Sequence, residues 1–248
     1  MSISKELESS IKDFLNISNI PIQEAIYLET GLAGGDSVQE IINLNFKKII
    51  SIEIDQKAID KAKIRFENEI AQSKVILIQG DSEKKIKETF DQNINIIFLD
   101  AHGSEFDTDT NAPLEGEINY LVNKINEKQL IIIDDFINIR NSFFFSDFQD
   151  WKRKFKFSKL KEILSGKDLK TFEMFHNNGL NSYLLITKNK YFKINKKFYL
   201  KLLFLKILSI KFYLIHLQYL IKRYIKKSII LLTSESFFNK IKKFLRRK

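Results

Sequence analysis

Carboxylates stand at or just after the ends of five short apolar runs in this chain. They are Glu29, Glu53, Asp81, Asp100 and Asp134. A carboxylate can accept hydrogen bonds from ribose hydroxyls, hold a hard cation such as Mg²⁺, or remove a proton as a general base. Because any single acid could equally be a helix cap or a turn residue, the meaning of the set depends on whether the chain brings its members together.

The elements that would bring them together are five runs of four to six residues, apolar almost throughout and rich in isoleucine. Such runs are typical of strands that helices cover on both faces. The runs are Ala25–Leu28, Lys48–Ile52, Val75–Ile78, Ile94–Leu99 and Leu130–Ile133. Apolar residues recur between them with helical spacing, at Ile59, Ala62, Phe66 and Ile70 and at Leu114, Ile118, Leu121 and Ile125. This alternation predicts a doubly wound, mostly parallel sheet with a ligand site at its carboxyl edge.

The segment Glu29–Ser37 follows the first run and contains three glycines. It matches neither the dinucleotide pattern G-x-G-x-x-G nor the Walker A pattern. Glu29 and Asp36 flank it, and their negative charge disfavours a phosphate at the N-terminus of the next helix. Glu53 lies 22 positions after Gly31, close to the spacing of about 20 at which an acid binds ribose. The pattern favours a ligand with a ribose and an ammonium or sulfonium group.

Local signals predict how several elements begin and end. Ser37 and Glu40 have the spacing of a capping box at the start of the second helix. After the fifth run we expect a helix and then two extended segments, at Ser146–Leu164, Thr171–His176 and Ser182–Thr187. The intervening Asn177, Asn178 and Gly179 favour a turn, which predicts an antiparallel hairpin.

This ordered series, from about Ala25 to Thr187, resembles the class I S-adenosylmethionine-dependent methyltransferases. The resemblance implies a Rossmann-like sheet of seven strands with a C-terminal antiparallel hairpin, and S-adenosylmethionine as the cofactor. In that family the acid–glycine turn faces methionine, the acid ending the second strand holds ribose, and residues after the third strand contact adenine. The matching residues are Glu29, Gly31, Gly35 and Ser37 for methionine, Glu53 for ribose, and Asp81 and Ser82 for adenine, with Asp100 beside them.

Within the family, the chain is most similar to metal-dependent O-methyltransferases of the catechol type. These carry an aspartate after strand four and an Asp-Asp or Asp-Asn pair after strand five. Asp100, Asp134 and Asp135 match those positions, and three carboxylates suit Mg²⁺ or another divalent cation. The resemblance implies methylation of a hydroxyl on a small molecule or a glycan, with Asp100 as a catalytic residue. The chain departs from the family at the base, for which His102 is the candidate, either as general base or as a metal ligand. His102 stands near where catechol-type enzymes place a lysine.

Two alternatives stay open at this point. A metal-independent methyltransferase would use Asp100 or His102 as its base. A non-catalytic scaffold would bind the cofactor and use the basic C-terminal segment as a tether. The chain contains no cysteine, which excludes disulfides and every mechanism that needs a cysteine nucleophile.

Residues 190–248 differ in composition from residues 1–189, the predicted methyltransferase domain, and we place a domain boundary near residue 189. They hold 17 lysines and arginines and a single acid, whereas residues 1–189 hold 24 basic and 30 acidic residues. On a helical wheel one half collects Lys201, Lys211, His216, Lys222, Arg223, Lys226 and Lys227. This predicts a basic amphipathic helix on an anionic membrane surface. Packing on the domain or a homodimer is the alternative, and nucleic acid is disfavoured. We expect a cytoplasmic protein, peripheral on the inner face of the membrane.

Overall fold

The computed structural model of the protein describes residues 3–101, 113–136, 139, 157–175 and 182–194. Contacts divide the chain into two units, Met1–Lys196 and Lys197–Lys248, and every described residue belongs to the first. The basic segment therefore lies outside the described residues beyond residue 194, and the boundary near residue 189 stays a prediction. Within the described ranges, no helix is long and apolar enough to cross a membrane.

Seven strands form one sheet in the described part of the chain. They are β1 (Ile26–Thr30), β2 (Lys48–Glu53), β3 (Val75–Gln79), β4 (Ile96–Leu99), β5 (Leu130–Ile133), β6 (Lys170–Phe175) and β7 (Ser182–Thr187). Their spatial order is β3-β2-β1-β4-β5-β7-β6. Neighbours among β1 to β5 are parallel, whereas β7 is antiparallel to both β5 and β6. The predicted doubly wound, mostly parallel sheet with an antiparallel C-terminal pair is confirmed.

The strand sequences follow from burial on both faces. Every residue of β4 and β5 is buried, and these strands are correspondingly apolar at each position. β5 has the bounds that its apolar run predicts. β1 ends two residues after its apolar run. Glu29 and Thr30 are polar and therefore interrupt the run, but both still pair with the two neighbouring strands.

One helix and a 3₁₀ turn precede β1, and the other helices of the described residues lie between strands in the chain. The helices are α1 (Lys5–Ile17), α2 (Asp36–Asn43), α3 (Gln56–Arg65), α4 (Glu67–Ala71), α5 (Ser82–Thr89), α6 (Pro113–Lys124) and α7 (Phe157–Leu164), with a 3₁₀ turn at Ile22–Glu24. The predicted apolar face of α6 is buried. The face predicted from Ile59 to Ile70 is divided between two helices, because Phe66 leaves the helical conformation with φ −113°. Of the helix predicted at 146–164, residues 146–156 lie outside the described residues.

Side chains alternate between the two faces of the sheet along β1. Leu28 belongs to a core that also contains Ile86 of α5, Ile118 of α6 and Leu160 of α7. We call this side the Leu28 face. Tyr27 points to the opposite side, where its ring packs against Phe46 and Phe98 at centroid distances of 6.0 and 6.4 Å. We call this side the Tyr27 face.

Helix α1 belongs to the Tyr27 face. Ser10 donates a hydrogen bond to the sulfur of Met174 on β6 at 3.4 Å. The ring of Phe98 contacts that of Tyr183, which pairs with Met174 across β6 and β7. Helices thus cover both faces of the sheet, and the carboxyl ends of the central strands are left to carry the site.

Candidate functional site

The carboxyl ends of β2, β1, β4 and β5 lie side by side, so the residues after them share one edge of the sheet. Backbone hydrogen bonds continue across this edge. Gly31 N donates to Ile52 O at 2.9 Å, and Asp100 N donates to Thr30 O at 3.0 Å. Asp134 follows β5 in the same way. The structure therefore brings the predicted acids to one edge.

The glycine turn after β1 is held in a conformation that larger residues would strain. Gly31 has φ +88° and Gly35 has φ +77°, both in the left-handed region. A Cβ on Gly31 would lie 2.5 Å from the backbone oxygen of Asp100, and a Cβ on Gly35 would lie 2.8 Å from the ring of Phe66. The turn is thus pressed between the end of β4 and the end of α3, where it has no room for a side chain.

Arg65, at the end of α3, binds the same turn from outside. Its Nη1 donates to Gly34 O at 2.5 Å and to Asp36 Oδ1 at 2.9 Å. The Arg65 guanidinium lowers the pKa of Asp36. Asp36 is largely exposed, so this ion pair contributes little stability. The ion pair nevertheless explains the presence of an acid at this position without a bound ligand.

The predicted capping box of Ser37 and Glu40 is wrong. Helix α2 begins after Gly35, and no side chain caps it. The Ser37 hydroxyl instead lies close enough to Glu29 to lower its pKa, and the Glu40 carboxylate accepts a bond from the backbone N–H of Ile3. Two tertiary contacts therefore replace the local one, and Ser37 is buried beneath the turn.

Glu53, the last residue of β2, joins this strand to the glycine turn. Its Oε2 accepts from Ala33 N at 3.0 Å, and its Oε1 accepts from Asp55 N at 2.9 Å. Each carboxylate oxygen can accept a further bond, so the side chain can still take two hydroxyl donors. The next residue, Ile54, leaves 56% of its surface exposed. The exposed apolar side chain of Ile54 thus follows Glu53, whose carboxylate can accept further hydrogen bonds.

Glu29 lies in a buried network on the Tyr27 face. It is fully buried and accepts from the Ser51 hydroxyl at 2.7 Å and from the Tyr27 hydroxyl at 3.2 Å. Burial raises the pKa of Glu29 to about 7, although the nearby hydroxyls of Ser51, Ser37 and Tyr27 act in the opposite direction. Its predicted contact with a bound ligand stays a prediction.

The residues after β3 begin a helix. Asp81 caps α5 by accepting from Glu83 N at 3.0 Å, and Ser82, the first residue of that helix, is buried. Capping explains the position of Asp81 but leaves its second oxygen near the edge, where Lys84 approaches to 3.5 Å. The predicted adenine contact of these residues stays a prediction.

Sequence reasoning missed one acid of this region. Glu117 on α6 is fully buried, and the hydroxyls of Ser82 and Thr30 lie close enough to lower its pKa. Burial dominates and raises the pKa of Glu117 to about 7. Its spacing was a usable signal, because Glu117 stands three positions after Leu114 and four before Leu121, on the apolar face of the helix.

The three aspartates predicted to hold a metal ion are close enough to affect one another. Burial, and then the charges of Asp134 and Asp135, raise the pKa of Asp100. The pKa of Asp134 is raised by burial and by Asp135, whose N–H donates to Asp134 Oδ1 at 2.7 Å. Among the described residues, however, no group of three or more acids or histidines is arranged to hold a metal ion. The predicted Mg²⁺ site is not supported, and His102 lies outside the described residues.

The chain matches no protein-family model, and no curated protein is significantly similar to it in sequence. Its fold, however, is shared by solved methyltransferases. A caffeoyl-CoA O-methyltransferase-like protein from Staphylococcus aureus has a TM-score of 0.55 at 15% identity, over 75% of this chain and 85% of that one. A methyltransferase from Podospora anserina, bound to S-adenosylhomocysteine, has a TM-score of 0.52 at 16% identity, over 75% and 79%. The chain therefore has a Rossmann-like fold of the kind found in these methyltransferases.

The close approach at Gly31 predicts a measurable difference between two glycines with positive φ. Gly166, with φ +70°, has nothing within 4 Å of an added Cβ. Gly166→Ala should therefore lower the free energy of unfolding by only about 1–2 kcal/mol, the strain of an alanine in the left-handed conformation. Gly31→Ala should cost a further 1–3 kcal/mol or so, because the backbone of Asp100 must move. Urea unfolding of both full-length variants measures this. Equal losses of stability would contradict the packing described for the turn.

Proposed function

We propose that the protein is an S-adenosylmethionine-dependent methyltransferase whose acceptor is a hydroxyl of a small molecule or a glycan. The observation that carries the proposal is the position of Glu53. This acid ends β2 at the carboxyl edge, binds the glycine turn, and keeps acceptor capacity for hydroxyl donors. In a methyltransferase fold this edge is where a ligand with a ribose would lie.

The cleft residues suggest how the cofactor would lie. Its ribose hydroxyls would donate to Glu53. The adenine ring would rest on the exposed Ile54, beside the segment Gly80–Ser82. Its methionine end would extend over the glycine turn at Gly31. The buried Glu29 below this turn adds negative charge under a sulfonium and an ammonium group when it is ionised.

The proposed reaction is a direct transfer between two atoms. The hydroxyl oxygen of the acceptor attacks the methyl carbon, the bond from that carbon to sulfur breaks, and S-adenosylhomocysteine leaves. The acceptor loses its proton, and Asp100 at the end of β4 is the described group that we assign to take it. Because burial and the neighbouring acids raise the pKa of Asp100 to about 9, only its ionised fraction can act as the base, and this fraction grows as the pH rises. His102 is the other candidate base from the sequence. Because the described acids do not form a metal-holding group, no step is assigned to a metal.

Glu53→Ala should weaken binding of S-adenosylmethionine by about 2 kcal/mol or more, roughly 30-fold in Kd, because two ribose hydroxyls lose a charged acceptor. Titration calorimetry on the full-length protein measures the change. Glu53→Gln should give an intermediate loss, since it keeps one oxygen acceptor. The matched control Glu67→Ala, at an exposed acid on α4, should bind as the wild type does. An unchanged Kd for Glu53→Ala would rule out the proposed ribose contact.

If Asp100 is the base, transfer should proceed without a divalent cation. We expect formation of S-adenosylhomocysteine with a panel of phenol, polyol and sugar acceptors to continue in excess EDTA. Asp100→Asn should lower the rate by about 10²- to 10⁴-fold through loss of the base. Activity that disappears in EDTA and returns with Mg²⁺ would instead support the three-aspartate metal site. No transfer to any acceptor, in a protein that binds the cofactor, would favour a non-catalytic scaffold.

We also propose that the basic segment binds an anionic membrane surface, on the sequence evidence alone. The charge of residues 190–248, with 17 cations against one acid, is the support for it. A membrane location would bring the enzyme close to acceptors such as lipid-linked glycans.

Removing part of this charge should release the protein from anionic vesicles. We expect the full-length variant with glutamine at Lys222, Arg223, Lys226 and Lys227 to lose affinity for vesicles of phosphatidylglycerol and phosphatidylcholine. At about 1 kcal/mol per cation the loss is roughly 10³-fold, measured by flotation. The control has glutamine at the exposed Lys57, Lys61, Lys63 and Lys84 and should float like the wild type. Equal flotation of both variants would contradict membrane binding through this segment.

A further inference from the structure

A group of buried polar atoms lies on the Leu28 face, outside the contacts assigned to the cofactor. Both carboxyl oxygens of Glu117 and the hydroxyl of Thr30 are buried and have no hydrogen-bond partner of good geometry among the described residues. Polar atoms in this condition are rare in folded proteins, because leaving them unpaired costs free energy. These atoms lie together directly behind the carboxyl edge, which indicates that they have a function.

These atoms belong to the elements that carry the proposed cofactor site. Thr30 is the last residue of β1 and immediately precedes Gly31. The Ser82 hydroxyl, which also acts on Glu117, begins α5 directly after Asp81. Glu117 therefore lies between the start of the glycine turn and the start of the helix next to the adenine position, and a small movement of its side chain affects both.

The packing of α5 against α6 keeps this carboxyl away from water. A Cβ on Gly116 would lie 2.1 Å from the side chain of Glu83, so this side chain of α5 packs against α6 one residue before Glu117. Glu117 is fully buried as a result. An ionised carboxylate is costly in such a place unless a cation compensates for it.

No cation compensates for it among the described groups. The charged groups that act on Glu117 are Glu83 and Asp81 on α5, and both raise its pKa further. The hydroxyls of Ser82 and Thr30 lower the pKa but do not offset burial. The neutral carboxyl is therefore favoured below about pH 7. In that form it can donate one hydrogen bond to a hydroxyl and accept another.

We propose that Glu117, as a neutral carboxyl, is a positioning residue that bridges the hydroxyls of Thr30 and Ser82 and so fixes the distance between the glycine turn and α5. The proposal rests on the proposed function, because the distance that it fixes is the one that the cofactor spans. Glu117 does not touch the cofactor. Ionisation replaces the bridge with an uncompensated charge that faces Asp81 and Glu83, which loosens the start of α5.

This bridge makes cofactor affinity depend on pH. A ligand that binds only one protonation state has an apparent Kd that rises as the population of that state falls. Because the pKa of Glu117 is raised to about 7, its neutral fraction falls about tenfold between pH 6 and pH 8. Other groups of the cleft titrate nearby, Glu29 among them, and so does the ammonium group of the ligand. The wild type must therefore be compared with a variant in which only Glu117 is changed.

The test is the Kd of S-adenosylmethionine at pH 6 and pH 8, measured by calorimetry on full-length proteins. Glu117→Gln keeps the shape and hydrogen-bonding capacity of the neutral acid but cannot ionise. We expect binding by the wild type to weaken about tenfold more than binding by Glu117→Gln over this range. The matched control Glu115→Gln, two residues earlier on α6, should follow the wild type. Parallel pH profiles for the wild type and Glu117→Gln would overturn the proposal.

Thr30→Val provides a second variant that tests the bridge without changing a titratable group. It removes one hydroxyl at nearly constant volume and should weaken binding at pH 6 by about threefold to tenfold. Unchanged affinity would contradict the bridge even if Glu117→Gln failed to fold. A wild type that binds no S-adenosylmethionine at either pH would instead refute the proposed function, and this inference with it.

Discussion

The cleft depends on one side chain that joins two strands at their carboxyl ends. Glu53 ends β2, yet it accepts a hydrogen bond from Ala33 in the turn after β1. The backbone bond from Gly31 to Ile52 supports the same junction. The turn is thereby held against the end of β4, where a side chain at Gly31 would have no room. Every proposed contact with the cofactor follows from the shape of this junction.

Buried acids on both faces of the sheet lie behind the junction. Glu29 lies on the Tyr27 face with three hydroxyls, and Glu117 lies on the Leu28 face. Burial raises the pKa of each to about 7 from the ordinary value of 4.5, so the fold loses stability as the pH rises between these two values. A fold selected for stability alone would place apolar residues at these two positions. Buried glutamates that reduce stability therefore indicate a function.

The sequence predicted the sheet well because strands buried on both faces leave a continuous apolar run. β5 has the predicted bounds, whereas β1 was predicted too short because Glu29 and Thr30 are polar. The capping box failed because Glu40 bonds to Ile3, which is 37 positions away and outside any local pattern. Glu117 had the spacing of a buried residue, but a glutamate in a helix is normally taken as exposed. The metal site is not supported among the described residues, because three suitable residue types do not guarantee a converging geometry.

A crystal structure with S-adenosylhomocysteine tests the central claim most directly, because it locates the ligand relative to Glu53. The account predicts both ribose hydroxyls within hydrogen-bond distance of the Glu53 carboxylate and the homocysteine end over Gly31. It also predicts adenine between Ile54 and the segment Gly80–Ser82. Ligand bound elsewhere, or an empty carboxyl edge at saturating ligand, would contradict it.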